Sequence, residues 1–381
     1  MKSFLFAAAL VILTPLEAFA EEPGGTSLLQ APPKKNANAA WAGGDDSTRL
    51  QPLNRDVNIF FVHVAKCAGG SVIRNIGGIV HESPGTGTFA TSETCMPFIE
   101  RTKNRGEEAN EWQFVTFLRS PRAHAVSQFF FQRHHGNFCH LNEMESGRMK
   151  EMCCGNFPAN EGDEAALSLW LQFYSSDKWA PEPAPRGHYN VSTPFKPLDV
   201  GNYLGSCYTP WNMMSRALTC STYLSHRASS WAEATPDIET VRANLERFAF
   251  VGIVELYAES ICMFQYRLTQ TLPRDCTCEH PEVLYEGPWR TNAQFRHDSG
   301  GASLELNLPS ASAAMIDRLT EVDVQLYRAE VVQFARDMVD MEARSGKRVI
   351  CASRFQALRD AVLYIPGLWE EVHEIVLVYL A

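Results

Sequence analysis

The segment Asn58–Ile76 constrains the fold more than any other part of the chain, because a strand pattern gives way to a helix pattern within a few residues. The apolar run Ile59–Val64 is followed by Lys66, then by Gly69 and Gly70, and then by helix-compatible sequence. This order predicts a strand, a small-residue loop and a helix N-terminus. Backbone N–H groups at a helix start, with an ammonium beside them, form a seat for a phosphate-like anion.

The position of Lys66 excludes one familiar class of phosphate-binding protein. In a Walker A loop the lysine follows the glycines, whereas Lys66 precedes Gly69 and Gly70. A nucleotide kinase or NTPase would also need a carboxylate that holds a metal ion. The segment is therefore interpreted as a different kind of anion site, with a plain strand-to-helix turn as the alternative.

A second segment repeats the strand-to-helix order. The β-rich run Gln113–Leu118 ends at Arg119, and Ser120 and Pro121 then form a favourable N-cap and first-turn pair. Ser127 follows two turns into the predicted helix, on the side that faces back toward Arg119. A guanidinium fork and a hydroxyl at this spacing predict a second anion site.

Together the two segments resemble the cofactor motifs of the Golgi carbohydrate sulfotransferases, the group related to heparan sulfate 2-O- and 6-O-sulfotransferases. The resemblance rests on Phe61–Ser71 and Phe117–Ser127, and it extends loosely over residues 57–340. It implies an α/β fold of the P-loop-like sulfotransferase type, with a central parallel sheet flanked by helices and with disulfide-bearing insertions. The sequence departs from the family pattern at Ala65, where proline is usual, and at Cys67, where threonine is usual.

The resemblance also implies a sulfuryl donor and a role for each of several residues. The donor is 3'-phosphoadenosine 5'-phosphosulfate (PAPS), used as a co-substrate, and no metal is expected. Lys66 is the expected catalytic cation at the leaving oxygen. Arg119 and Ser127 would hold the 3'-phosphate, and Arg290 lies in a loop expected to close over the donor. The 5'-phosphosulfate is assigned to the first loop, which comprises Lys66, Cys67, Ala68, Gly69, Gly70 and Ser71.

Sulfuryl transfer also needs a base that takes the proton of the acceptor hydroxyl. His81 and Glu82 follow the first predicted helix, in the segment that approaches the acceptor in related enzymes. They are the expected base, with His81 ranked first. Residues 77–111, rich in glycine, threonine and then charge, are expected to form a connecting segment that reaches over the site.

The net charge of the chain limits the classes of partner that it can bind. The chain has a net charge of −10, which argues against nucleic acid as a partner, because nucleic-acid-binding domains are basic. The family resemblance implies a hydroxyl of a glycan or glycoconjugate as the acceptor. The alternatives are a protein-tyrosine sulfotransferase, and a lumenal protein that binds PAPS without catalysis.

The N-terminus predicts the compartment. Residues 1–20 combine Lys2, an apolar stretch and a small-x-small site at Ala18–Ala20, as in a secretory signal peptide. A short signal anchor is the alternative, and membrane contact is expected only if this segment is retained. The protein is expected in the secretory pathway, in the Golgi lumen, or secreted if the signal is cleaved. Residues 21–56 are interpreted as a flexible stem, 57–344 as the sulfotransferase domain, and 345–381 as an extension of unassigned role.

The cysteines agree with an oxidising lumen, since the chain carries 11 of them. A disulfide at Cys67 would obstruct the anion loop, so Cys67 is predicted to be a free thiol. Its place beside a lysine and a helix N-terminus predicts a lowered pKa. Disulfides are favoured over zinc at Cys276 and Cys278, whose spacing is not Cys-x-x-Cys. Asn190 begins a glycosylation sequon.

Overall fold

A computed structural model describes residues 50–92, 95–96, 112–134, 162–175, 210–219, 235–278 and 307–380. All of them belong to one compact unit that begins at Asp46. Within this described part, no helix combines the length and the apolar character needed to cross a membrane.

The centre of the fold is a parallel sheet of four strands. They are β1 (Asn58–Val62), β2 (Phe89–Ser92), β3 (Trp112–Leu118) and β4 (Phe248–Ile253), in the spatial order β2-β1-β3-β4. All three neighbouring pairs are parallel, with Phe60 opposite Phe114 and Phe117 opposite Gly252. Parallel strands are buried on both faces by crossover helices, which explains their near-continuous apolar sequences. The predicted α/β class with a central parallel sheet is confirmed.

Ten helices flank or follow the strands in the described residues. Two of them, Ser310–Leu319 and Glu321–Ser345, are separated by Thr320 alone. Short 3-10 turns occupy Val254–Leu256 and Arg274–Cys276. The helices are α1 (Gly69–Glu82), α2 (Pro121–His134), α3 (Asp163–Ser175), α4 (Met213–Thr219), α5 (Ile238–Leu245), α6 (Tyr257–Thr269), α7 (Ser310–Leu319), α8 (Glu321–Ser345), α9 (Ala352–Val362) and α10 (Leu368–Leu380).

The main hydrophobic core lies on the sheet and is rich in aromatic side chains. Phe61 and Phe117 are fully buried, and their ring centroids lie 6.4 Å apart in an edge-to-face arrangement. Such pairs stabilise a core beyond the area that they bury. A second cluster packs α2, α3 and α7 together around Phe129 and Trp170, whose centroids are 5.8 Å apart. Helix α2 thus contributes its apolar side chains to this second cluster.

The segment after α1 differs from the sequence expectation. Residues Phe89–Ser92 form the edge strand β2, in which Ile59 of β1 lies opposite Phe89. Part of the expected connecting segment is therefore sheet rather than a loop over the site. The alternation of apolar and polar residues that marks a strand was not recognised here, because β2 is only four residues long and is largely half-buried.

Two disulfides join the C-terminal half of the described chain. Cys262 bonds to Cys276, and Cys278 bonds to Cys351, so cysteines 276 and 278 form disulfides rather than a zinc site. The second bridge attaches the segment before α9 to the 3-10 turn region after α6. Helix α10 in turn packs along α8. The presence of disulfides is therefore confirmed, and Cys95 also takes part in one.

Candidate functional site

The first predicted motif folds as a strand, a tight loop and a helix. Strand β1 ends at Val62 and α1 begins at Gly69, with Lys66 (φ 63°) and Ala68 (φ 60°) both in the left-handed region. This conformation costs a non-glycine residue about 1–2 kcal/mol. Strained backbone of this kind is concentrated at functional sites, where the surrounding structure enforces it.

The two glycines of the loop have different physical roles. A Cβ at Gly69 would lie 1.6 Å from Nε2 of His63, so this position is small because the half-buried imidazole packs against it. A Cβ at Gly70 would meet nothing within 4 Å, and Gly70 is exposed. Open space for a ligand therefore lies at Gly70, whereas Gly69 is required by the packing of the protein itself.

The first turn of α1 provides amide donors beside this open space. The N–H groups of Ser71 and Val72 donate to the Ala68 carbonyl at 2.9 and 3.0 Å. The earliest amides of a helix have no acceptor within the helix, and the helix dipole makes this end positive. The amides of Gly69 and Gly70 begin α1 and suit an anion.

The ammonium of Lys66 lies against the second helix. Its Nζ sits 3.8 Å from the centroid of the Phe131 ring, within the range of a cation–π contact. Lys66 is half-buried, so its charge stays near the loop instead of extending into solvent. Phe131 lies one turn beyond Ser127 on α2, which brings Ser127 to the same side of the helix as Lys66.

Arg119 joins the two predicted motifs. Its Nη1 donates to the carbonyl oxygen of Lys66 at 3.3 Å. The contact forms because β1 and β3 are adjacent parallel strands, whose carboxyl ends meet at one edge of the sheet. The structure therefore brings Lys66, the loop to Ser71 and Arg119 together.

Glu255 is a half-buried carboxylate at this edge that sequence reasoning did not assign to the site. Its Oε1 accepts the Ser120 amide at 2.9 Å, and its Oε2 accepts the Tyr327 hydroxyl at 2.8 Å. Burial raises the pKa of Glu255, while the nearby charge of Arg119 and these hydrogen bonds act in the opposite direction. The carboxylate thus accepts the backbone amide of Ser120, the residue that precedes α2. Its position directly after β4 was the available signal.

Two histidines pack against the loop, of which His124 is buried and His63 is half-buried. The Nε2 of His124 lies 2.7 Å from the Ala65 carbonyl, and burial lowers the pKa of His124 to about 3. Burial and the charge of Lys66 lower the pKa of His63 to about 4. Both rings are therefore neutral near pH 7, and they serve the packing of the loop. His124 was missed because a single histidine in a helix has no local signature.

Cys67 is a free thiol, as predicted, but its predicted reactivity is wrong. The side chain is fully buried, and burial raises the pKa of the thiol well above its ordinary value. The nearby Arg119 lowers this pKa but does not compensate for the burial. The Cys67 side chain therefore points into the core, and only its backbone is available to the loop.

The expected base is not brought to Lys66, and this assignment is corrected. His81 and Glu82 are exposed at the C-terminal end of α1, whereas the loop lies at its N-terminal end. At 1.5 Å per residue, roughly 18 Å of helix separates Gly69 from His81. Closeness in sequence misled the assignment, because the helix carries these side chains toward the opposite edge of the sheet.

Two assigned residues remain, Ser127 and Arg290, and the structure describes only Ser127. Ser127 is half-buried on α2, about two turns beyond Arg119, as the spacing predicted. Arg290 lies outside the described residues. The site therefore consists of a cationic loop, a helix N-terminus and a guanidinium at one edge of a parallel sheet, which suits a ligand with several anionic oxygens.

Comparison of the chain with protein-family models, with curated proteins and with solved structures finds no match.

Proposed function

We propose that the protein is a PAPS-dependent sulfotransferase that transfers a sulfuryl group to a hydroxyl of a glycan acceptor. The observation that carries the proposal is the 3.3 Å contact between Arg119 and the Lys66 carbonyl, which joins the two anion-binding segments. A donor with a phosphosulfate at one end and a 3'-phosphate at the other would use both segments. The P-loop-like sulfotransferase fold is part of this proposal.

The donor half of the reaction follows from the residues of the loop. The amides at Gly69 and Gly70 and the hydroxyl of Ser71 would hold the 5'-phosphosulfate. The Lys66 ammonium would leave the Phe131 ring and approach the bridging oxygen, where negative charge develops as the S–O bond breaks. The acceptor oxygen bonds to sulfur while the bond from sulfur to the bridging oxygen breaks, the acceptor proton passes to solvent, and adenosine 3',5'-bisphosphate leaves with the bonding electron pair.

The 3'-phosphate end is assigned to the second segment. Arg119 would present its guanidinium, and Ser127 its hydroxyl, to the phosphate oxygens. Glu255 beside Arg119 limits how much net positive charge the segment offers. Neither His63 nor His124 suits the base, because burial holds their pKa values at about 4 and 3. The proposal therefore covers the donor half of the site.

The compartment is proposed on the same basis. Disulfides such as Cys278–Cys351 form and persist in oxidising compartments, which supports a lumenal or secreted protein. The proposal places the protein in the secretory pathway, with the Golgi lumen as the site of PAPS-dependent glycan sulfation.

The test is transfer of labelled sulfate from PAPS to a panel of glycans and tyrosine peptides. The wild-type protein should label a glycan, and Lys66→Ala should reduce the rate on the order of a hundredfold or more. Lys347→Ala, at an exposed lysine, is the matched control and should keep the wild-type rate. Labelling of tyrosine peptides alone would replace the acceptor class, and PAPS binding without transfer would indicate a non-catalytic binding protein.

A further inference from the structure

The C-terminal segment reaches the start of α2 through one side chain. The hydroxyls of Tyr364 and Ser120 are 3.2 Å apart, and the Ser120 hydroxyl also lies 3.3 Å from the Ala361 carbonyl. The Arg122 amide approaches the same Tyr364 hydroxyl at 3.5 Å. A residue from the segment with no assigned role therefore contacts the backbone that directly follows Arg119.

Arg122 strengthens this attachment from the solvent side. Its guanidinium lies 4.0 Å from the centre of the Tyr364 ring and forms two hydrogen bonds with Asp317 of α7, at 2.8 and 2.6 Å. An arginine held between a ring face and a bidentate carboxylate has little freedom to move. The first turn of α2 is thus fixed to α7 and to the C-terminal segment together.

The segment itself is anchored away from the site. The Cys278–Cys351 disulfide holds the residue before α9, and α9 packs against the 3-10 turn that contains Glu255. Beyond α9, Arg328 of α8 donates to the Pro366 carbonyl at 2.5 Å and pairs with Glu371 at 3.1 Å. In the chain, Tyr364 therefore lies between Cys351, which is held by the disulfide, and Pro366, which is held by Arg328.

We propose that Tyr364 is a positioning residue for the second anion-binding segment, Arg119–Arg122. Its hydroxyl holds Ser120 on one side while Glu255 holds the Ser120 amide on the other. Together they set the direction in which the chain leaves β3, and therefore the direction of the Arg119 guanidinium. The identity of the bound anion rests on the proposed function, whereas the positioning of residues 119–122 does not.

The test uses Tyr364→Phe in the full chain, which removes the hydroxyl but keeps the ring beneath Arg122. Leu363→Ala is the control, because Leu363 is the preceding residue and is 50% exposed. Hydrogen–deuterium exchange of peptides covering residues 119–124 measures the positioning directly. Calorimetry with adenosine 3',5'-bisphosphate and with adenosine 5'-phosphate measures its consequence for ligand selectivity.

Tyr364→Phe should accelerate exchange at residues 119–124 by about fivefold to tenfold, as expected for the loss of one buried hydrogen-bond partner. The variant should lose more affinity for the bisphosphate than for the monophosphate, by a similar factor. A general loss of order in the protein would instead lower the affinity for both ligands equally. Exchange identical to that of the Leu363→Ala control would overturn the positioning role. Failure of the wild-type protein to bind the bisphosphate would refute the proposed function, and the exchange result would still decide the role of Tyr364.

Discussion

Arg119, the residue that follows β3, donates a hydrogen bond from Nη1 to the carbonyl oxygen of Lys66, in the loop that follows β1. This contact means that the guanidinium stabilises the loop as well as presenting charge to a ligand. The guanidinium also lies beside the half-buried carboxylate of Glu255, whose pKa it lowers against the effect of burial. Arg119 therefore has a structural role beside its proposed role in binding, and experiments must separate the two.

Arg119→Ala should lower both stability and selectivity for a 3'-phosphate. Loss of the guanidinium removes the hydrogen bond to the Lys66 carbonyl and the cation beside the half-buried Glu255, which should cost about 1–2 kcal/mol of unfolding free energy. Calorimetry should also show that adenosine 3',5'-bisphosphate loses more affinity than adenosine 5'-phosphate. Arg119→Lys, which keeps the charge but not the fork, should recover part of the stability. Equal affinity losses for the two ligands would leave Arg119 with a structural role only.

Gly69→Ala and Gly70→Ala should have opposite effects on stability. The new Cβ at Gly69 would overlap the His63 ring, and overpacking of this kind costs about 1–3 kcal/mol. At Gly70 the Cβ meets open space, and alanine in a helix is favoured over glycine by roughly 0.5–1 kcal/mol. Chemical denaturation of both variants tests the contrast. Similar destabilisation of the two would contradict the different roles of these glycines.

His124→Gln should make stability less dependent on acidic pH. The unfolded chain takes up a proton on His124 below about pH 6.5, whereas the folded protein does so only near pH 3. Folded stability due to His124 is therefore lost as the pH falls, by about 1.4 kcal/mol per pH unit between 6 and 4.

Glutamine keeps an amide near the Ala65 carbonyl and cannot titrate, so the variant should lack this loss. Asp323 and Glu255, whose pKa values are raised by burial, act in the opposite direction in both proteins. The comparison should therefore use the difference in unfolding free energy between wild type and variant at each pH. A difference that stays constant from pH 7 to 4 would mean that folded His124 titrates normally.

Cys67 should resist alkylation in the native protein. Its thiol is fully buried and its pKa is raised, so both access and thiolate formation are suppressed. Mass spectrometry of the Cys67 peptide after treatment with iodoacetamide, without reduction, should find it unmodified in buffer and modified in guanidinium chloride. Rapid native-state labelling would show that the side chain faces the loop rather than the core.

Much of the secondary structure was predictable because its signals are local. The apolar run before Lys66 and the Pro121 start of α2 were placed within a residue or two of their observed positions. Strand β2 was missed because four half-buried residues carry too little pattern. The base was misplaced for a different reason: nothing local to His81 indicates that α1 runs straight for its whole length, away from the loop.

The sequence by itself determined strands β1 and β3, the helix starts that follow them and the two loops that carry Lys66 and Arg119, because hydrophobic period and helix-start residues act over a few positions. Only the tertiary structure decided what surrounds them. Glu255 contacts Ser120 across 135 positions of sequence, and Tyr364 does so across 244. Such contacts form when β4 joins the sheet and the C-terminal helices pack on it. Pairings between distant buried polar groups depend on the assembled fold, and no local pattern encodes them.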